Sequence, residues 1–326
     1  MRYVAGVIGY RNHSSKIVNI LKNHNKIKKI IVFCYKKKII KKLILENKNN
    51  KIFYTSIFSN LKISDFNFIT SPSKTHLKYI KQLLIYKKNI FCEKPGFYNL
   101  KEYKFLKNLR KNNKRKIYFN YNLIHSKFYD LLKNELKKPN VKIINTSIYS
   151  TIGIAYLKKF KNNWRFNSKN ILDRITGNLG VHHLNFSLNL NGDLDNFNIS
   201  ESCVARKNKI DTANIHARFK NDCTANIFLS YSAPATDRYE YYFSNNIIIY
   251  ENSKIYKISP RNFFDRNGLF ARPPRKLIYV FKKNIGDDSI SSSVDYFISK
   301  SINGKNFSTN NFENALKAGK VFLSIN

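Results

Sequence analysis

Short apolar runs alternate with stretches of helical period over the first third of the chain. Tyr3-Val4-Ala5-Gly6-Val7-Ile8-Gly9 reads as a buried strand, and Ile17, Val18, Ile20 and Leu21 share one face of a helix over 14–23 that Ser14 caps. Further strands are predicted at 29–35, 53–54, 66–70, 89–92 and 116–121, with helices over 38–47, 75–87 and 100–112 between them. Such alternation predicts right-handed βαβ units and a doubly wound parallel sheet. The first apolar run lacks a small-residue cleavage site and leads straight into a helix, so it reads as a strand and not as a secretory signal.

The pattern changes near residue 122. Helices are predicted over 126–137 and 179–190, and one-sided strands over 141–149, 197–205, 214–219, 224–230, 239–243, 246–250, 253–258 and 276–280. Asn- and Asp-containing turns such as Asn221-Asp222 and Asn245-Asn246 join several of them. Helices over 289–302 and 310–324 close the chain. The expected organisation is α/β: residues 1–121 as a doubly wound domain and 122–326 as an α+β domain with a mostly antiparallel sheet.

Composition narrows the function classes. Hydrophobic residues make up 43% of the 326 positions, enough for a real core. No apolar run approaches the roughly 20 residues that span a bilayer. The four cysteines, Cys34, Cys92, Cys203 and Cys223, lie far apart without metal or redox spacing, which fits a cytoplasmic protein with reduced thiols and no metal site. The net charge of +39 invites a nucleic-acid reading. Lysine is spread along the whole chain, however, and no aromatic-basic recognition module is present, so no specific nucleic-acid partner is expected. The charge still favours anionic ligands and salt-sensitive association.

Candidate chemistry begins at Asn89-Ile90-Phe91-Cys92-Glu93-Lys94-Pro95, where a strand stops at a proline. Lys94 then stands at the carboxyl end of that strand, the edge where open α/β sheets bind ligands, and its amine can stabilise a substrate oxygen. Gly9-Tyr10-Arg11-Asn12-His13-Ser14 occupies the place of a dinucleotide fingerprint but keeps only its first glycine. The helix start still offers N–H groups to an anion, and Arg11 can add a charge-assisted contact. The second strand ends in Cys34-Tyr35-Lys36-Lys37-Lys38, with no acid for a ribose hydroxyl and with bases that suit a 2′-phosphate, which favours NADP over NAD. Trp164-Arg165 precedes Gly177-Asn178-Leu179-Gly180-Val181-His182-His183, in which Asn178 and His182 share a helix face. The same residues also serve as a surface lysine, an ordinary turn, a core tryptophan and a structural histidine.

Taken together, the chain resembles the Gfo/Idh/MocA family of sugar and polyol oxidoreductases. The likeness rests on Gly6-Val7-Ile8-Gly9, Thr70 through His76, Glu93-Lys94-Pro95, Asn120-Tyr121-Asn122, Trp164-Arg165, Gly177 through His182 and Phe312 through Lys317. It implies an N-terminal Rossmann domain binding NAD(P) and a C-terminal domain whose large open sheet forms a homo-oligomer interface. It also implies catalytic roles for Lys94 and His182. The family's aspartate maps onto Asn178, which cannot accept a proton. Cofactor contacts are expected from Gly9, Tyr10, Arg11, Asn12, Tyr35, Lys36, Ser71, Pro72, His76, Glu93 and Lys94. Substrate contacts are expected from Asn122, Trp164, Arg165 and His183. The implied activity is hydride transfer between a nicotinamide and a sugar-like hydroxyl or ketone, including anionic or nucleotide sugars. The altered fingerprint and Asn178 keep open a catalytically degenerate member acting as scaffold or regulator. A redox-neutral enzyme with tightly held NAD is also compatible.

Overall fold

The structure is a computed structural model that describes residues 2–46, 49–161 and 163–324. The first sheet is built from β1 (Tyr3–Ile8), β2 (Ile27–Phe33), β3 (Ile52–Thr55), β4 (Phe66–Ile69), β5 (Asn89–Glu93) and β6 (Ile117–Asn120). Between them run α1 (Asn12–Asn23), α2 (Lys37–Glu46), α3 (His76–Ile85), α4 (Leu100–Lys107) and α5 (Lys111–Lys114). All neighbours are parallel, in the order β3-β2-β1-β4-β5-β6. Winding reverses between β1 and β4, which makes that edge a topological switch point. β4 is buried along its whole length, as its unbroken run Phe-Asn-Phe-Ile requires of a strand covered on both faces. The helix expected over 38–47 ends at Glu46 among the described residues, and position 47 lies outside them. α1 begins at Asn12, two residues before the expected cap. Ser14 is therefore inside the first turn, and its hydroxyl bonds to Thr70 Oγ1 at 2.7 Å instead of capping the helix.

The second sheet has the order β14-β13-β12-β11-β7-β10-β9-β8. Its strands are β7 (Ile143–Thr151), β8 (Leu194–Ser202), β9 (Thr212–Phe219), β10 (Thr224–Ser230), β11 (Thr236–Phe243), β12 (Ile247–Glu251), β13 (Lys254–Ile258) and β14 (Arg275–Val280). Only β7 and β10 pair in parallel. β9 shows why the sheet is one-sided: Ala213, Ile215, Ala217 and Phe219 are buried while Asn214, His216 and Arg218 are exposed. The accompanying helices are α6 (Lys127–Leu136), α7 (Trp164–Asn167) and α8 (Val181–Asn191). Two long helices follow, α9 (Ile285–Ile302) and α10 (Thr309–Leu323).

The chain forms two compact units, but one cut at 121/122 does not divide them. The first unit takes the chain up to Tyr121 together with Ser291–Lys320, and the second takes Asn122–Ile290 and the chain from Val321. The reason is visible in the first unit's core. Phe297 of α9 sets its ring 5.9 Å from Phe66, 5.1 Å from Phe68, 5.4 Å from Phe91 and 5.2 Å from Phe307. Asn311 of α10 accepts from Phe119 N at 3.0 Å and donates to Phe119 O at 3.1 Å, so an amide side chain caps the edge strand β6.

Phe297 is fully buried. We expect Phe297→Ala to cost about 3–5 kcal/mol, read as a lower urea midpoint for the transition that reports on the first unit.

Candidate active site

At the carboxyl edge of the first sheet the chain leaves β1 through Gly9, whose φ of +128° lies in the region that favours glycine. A Cβ there would stand 2.7 Å from Ser14 Oγ and 2.9 Å from Thr70 Oγ1. Tyr10 is half-buried and Arg11 exposed. Arg11 is the N-cap residue of α1 in an extended conformation, and its own side chain makes no cap hydrogen bond. Asn12 opens α1, and its side chain lies outside the described residues. Beyond β2, Tyr35 and Lys36 are exposed, with the Lys36 ammonium 5.6 Å from the Tyr35 ring centre.

At the end of β5, Glu93 is buried. Its Oε1 accepts from His13 Nε2 at 2.7 Å and from Asn120 Nδ2 at 2.7 Å. Burial pushes the Glu93 carboxyl up, but the His13 charge, the hydrogen bonds from His13 and Asn120, and Lys94 outweigh it and hold the group below the usual range. The same pair raises His13: the Glu93 charge pulls the imidazole up, against partial burial and the Lys94 and Lys16 charges. Both shifts favour an ion pair. The carboxylate also fixes the Asn120 amide with nitrogen toward it, which leaves Asn120 Oδ1 buried without a protein partner. Lys94 follows directly and is half-buried.

His76, the first residue of α3, is buried between two loops of this edge. Its Nδ1 lies 2.7 Å from Pro95 O and its Nε2 2.7 Å from Ser71 O. Both partners are acceptors, so the geometry asks both ring nitrogens to donate. Burial opposes that charge and pushes the imidazole down, against the two carbonyls and Glu93. His76 thus pins the Ser71-Pro72 loop to the loop that follows Lys94. Ser71 adds a 2.7 Å contact to Thr75 Oγ1.

In the second unit, a π-helical turn over Thr176–Gly180 leads into α8. Such turns recur at functional sites. Gly177 permits it, because a Cβ there would meet Leu172 Cα at 2.2 Å. Glu201 anchors the turn by accepting from Thr176 Oγ1 and from Arg174 Nη1 at 3.2 Å. Asn178 donates through Nδ2 to the Tyr231 hydroxyl at 2.8 Å. Burial raises the Tyr231 phenol, while Asn178 and Arg165 pull it down. His182 is half-buried at the start of α8. Trp164 is no core residue: it is 49% exposed, with the Arg165 guanidinium 4.7 Å from its ring centre.

Two expected substrate residues are committed elsewhere. His183, one residue on from His182, turns about 100° around the helix. It is buried, 5.5 Å from the Tyr239 ring. Asn122 spends its amide nitrogen on Gly286 O at 3.2 Å and Ser289 Oγ at 2.7 Å, joining the start of the second unit to the first turn of α9. Sequence reasoning passed over His13, Asn120 and Tyr231. His13 and Asn120 lay inside stretches already singled out, but their common partner is 80 and 27 residues away. Nothing local marks Tyr231. Among the described residues, no three His, Cys, Asp or Glu side chains gather as metal ligands.

Comparison with known proteins places this geometry. Residues 4–121 match the model of the Gfo/Idh/MocA oxidoreductase family, NAD-binding Rossmann fold. No curated protein matches the chain in sequence. Among solved structures it is similar to an oxidoreductase from Agrobacterium radiobacter in complex with NAD+, L-tartaric acid and magnesium, at 14% identity and TM-score 0.76, covering 99% of this chain and 94% of that one. It is similar to a UDP-N-acetylglucosamine 3-dehydrogenase from Acidithiobacillus ferrooxidans at 11% identity and TM-score 0.76, covering 100% and 97%. It is also similar to a myo-inositol dehydrogenase from Corynebacterium glutamicum at 16% identity and TM-score 0.75, covering 99% and 95%. These likenesses carry the fold across both units. Residues 4–121 are thus similar to the Gfo/Idh/MocA oxidoreductase family with its NAD-binding Rossmann fold.

Proposed function

We propose that the protein is an NAD(P)-dependent dehydrogenase or reductase acting on a sugar- or polyol-like hydroxyl or ketone, with an anionic or nucleotide sugar as substrate. The observation that carries this reading is one sheet edge holding the Gly9 turn, an α1 start whose N-cap Arg11 makes no side-chain cap hydrogen bond, and Lys94 at the end of β5. These residues fit a dinucleotide: Gly9 makes the positive-φ turn off β1 tight against Ser14 and Thr70, the α1 amides can take an anion, and Asn120 Oδ1 is a buried acceptor in need of a donor. Tyr35 and Lys36 would face the adenosine end, where bases suit a 2′-phosphate.

The nicotinamide, when bound, supplies or takes the hydride. Lys94 holds the negative charge that grows on the substrate oxygen, a contact whose loss typically costs about 3–4 kcal/mol of transition-state stabilisation. His182 takes or returns the hydroxyl proton, worth roughly 10²–10⁴ in rate. Asn178 is an amide and moves no proton, so proton exchange falls to His182 alone. Arg165 and Trp164 offer a cation beside an apolar face, which supports a sugar bearing an anionic group. The names of two structural neighbours, a myo-inositol dehydrogenase and a UDP-N-acetylglucosamine 3-dehydrogenase, support the sugar or polyol class. Four free cysteines support a reducing compartment, the cytoplasm. Exposed Ile144 and Tyr149 on β7 support a homo-oligomer through the open face of the large sheet.

Asn178 in place of the family's aspartate, and Arg11 in place of a glycine, favour one second reading: a cofactor-binding scaffold or regulator without turnover. The two separate cleanly. If the protein is an enzyme, Lys94→Ala and His182→Ala each reduce kcat at least a hundredfold while circular dichroism stays unchanged, and His182→Ala keeps NADH binding. Near-wild-type turnover in either variant would refute the assignment, and NADH binding with no turnover of any sugar, sugar acid or nucleotide sugar supports the scaffold.

Lys36 generates a cofactor prediction. NADPH should bind more tightly than NADH, added salt should erode the difference, and Lys36→Glu should reverse the order. Fluorescence titration at two ionic strengths measures all three. For assembly, sedimentation of the wild type should give a dimer or larger species, and Tyr149→Lys should shift it toward monomer.

A further inference from the structure

His13 is not explained by the fingerprint it interrupts. It leaves the first turn of α1, at the end of β1, and reaches Glu93 at the end of β5. In this sheet β4 lies between those two strands. Neighbouring strands are about 4.8 Å apart, so the imidazole bridges roughly 10 Å of the carboxyl edge and crosses beyond β4. A dinucleotide lies along that edge in folds of this kind. The His13 side chain remains 41% exposed, while that of Glu93 is 11% exposed.

Charge accounting sets the sign. The groups acting on His13 are Glu93 and Lys94 at the end of β5 and Lys16 on α1. Arg11 stands two residues before it, Asn120 of β6 shares its carboxylate partner, and buried His76 lies behind Glu93. With His13 protonated, the pair His13–Glu93 is neutral. With His13 deprotonated, the same edge carries an uncompensated carboxylate next to the place where a pyrophosphate must sit. Lys94, Lys16 and Arg11 are cations in both states and do not change the difference.

We propose that His13 is a cofactor-binding residue that neutralises Glu93 and draws the dinucleotide's phosphates to the start of α1, taking over the hold that a second fingerprint glycine gives through backbone approach. The proposal rests on the reading of the first unit as a dinucleotide site. Its sign follows from linkage: binding an anion raises the His13 affinity for its proton, so the proton raises the affinity for the anion. Affinity is highest below the His13 pKa and falls as pH rises through it. That pKa is raised above the ordinary 6.5, so the loss lies on the alkaline side of 6.5. If the bound phosphates raise the His13 pKa by one unit, affinity drops about tenfold across the titration.

The test is NADH fluorescence titration of the full chain at fixed ionic strength, from below pH 6.5 to well above it, for the wild type and His13→Gln. The wild type should weaken about tenfold, and His13→Gln should be flat and match the wild type at its alkaline limit. A second readout needs no turnover: with 15N-labelled histidine, the NMR pKa of His13 should rise when ADP-ribose is added and should fall in cofactor-free Glu93→Gln. A wild-type profile independent of pH, an equal slope in His13→Gln, or a His13 pKa unmoved by ADP-ribose overturns the proposal. Absence of NADH binding at every pH overturns the dinucleotide site itself, an outcome distinct from binding that ignores pH.

Discussion

A carboxylate taken out of water must be given partners, and much of the sheet edge is organised by meeting that demand for Glu93. An isolated buried carboxylate would cost several kcal/mol, so it either neutralises or recruits charge and donors. Here it recruits. His13 arrives from the turn after β1, Asn120 from β6, and Lys94 is its neighbour in the chain. One desolvated charge thereby ties three segments of the carboxyl edge into a fixed arrangement. Removing the carboxylate would take away the charge that holds the His13 proton beside Lys94. Removing His13 would leave the carboxylate with an amide and an ammonium only.

Other loops are held by the same means, a polar group drawn out of water that fixes a backbone. His76 spans the carbonyls of Ser71 and Pro95, so the segment following Lys94 is located by a ring whose orientation two acceptors define. Ser14 reaches Thr70 where a glycine or alanine would pack, which converts a close apolar approach into a hydrogen bond between α1 and the end of β4. In the second unit Glu201 does for the Thr176–Gly180 turn what Glu93 does for the first sheet's edge. Apolar burial builds the sheets, and polar burial positions the loops that carry chemistry. That division follows from directionality: dispersion tolerates small shifts, whereas a hydrogen bond weakens steeply with angle.

What the sequence revealed follows the same division. The strands and helices were legible because their apolar periods are local, and β4, β5 and β6 fall within a few residues of the expected positions. The ownership of α9 and α10 was not legible. A helix states that one of its faces is apolar, but not which sheet will cover it, and Phe297 and Asn311 chose the earlier one. Among the candidate residues, Lys94 was legible from a proline stop, and the Asn178–His182 stretch from its glycines. The partners that position them were not, since His13–Glu93 and Asn178–Tyr231 span 80 and 53 residues. His183 shows the opposite failure: adjacency in a motif suggested a shared role, and one residue of helical rotation sent it to the core.

The chain's charge bears on the site through its scarcity of acids more than through its lysines. Only 20 Asp and Glu stand against 59 Lys and Arg, and the buried acids hold specific structural partners. Glu135 accepts from Lys138 and Asn246, Asp211 from the amides of Val204 and Ala205, and Glu240 from Arg238 and Tyr242. Position 178 differs from these, because an amide has the shape of a carboxylate and keeps a hydrogen bond to Tyr231 without its charge. Asn178 therefore holds position without contributing charge. An amide at 178 offers no charge to a neighbouring imidazolium, while the placement of the π turn is secured independently by Gly177 and Glu201. Under the proposed reading, such a site would keep its binding groups while acid–base work rests on the His182 imidazole.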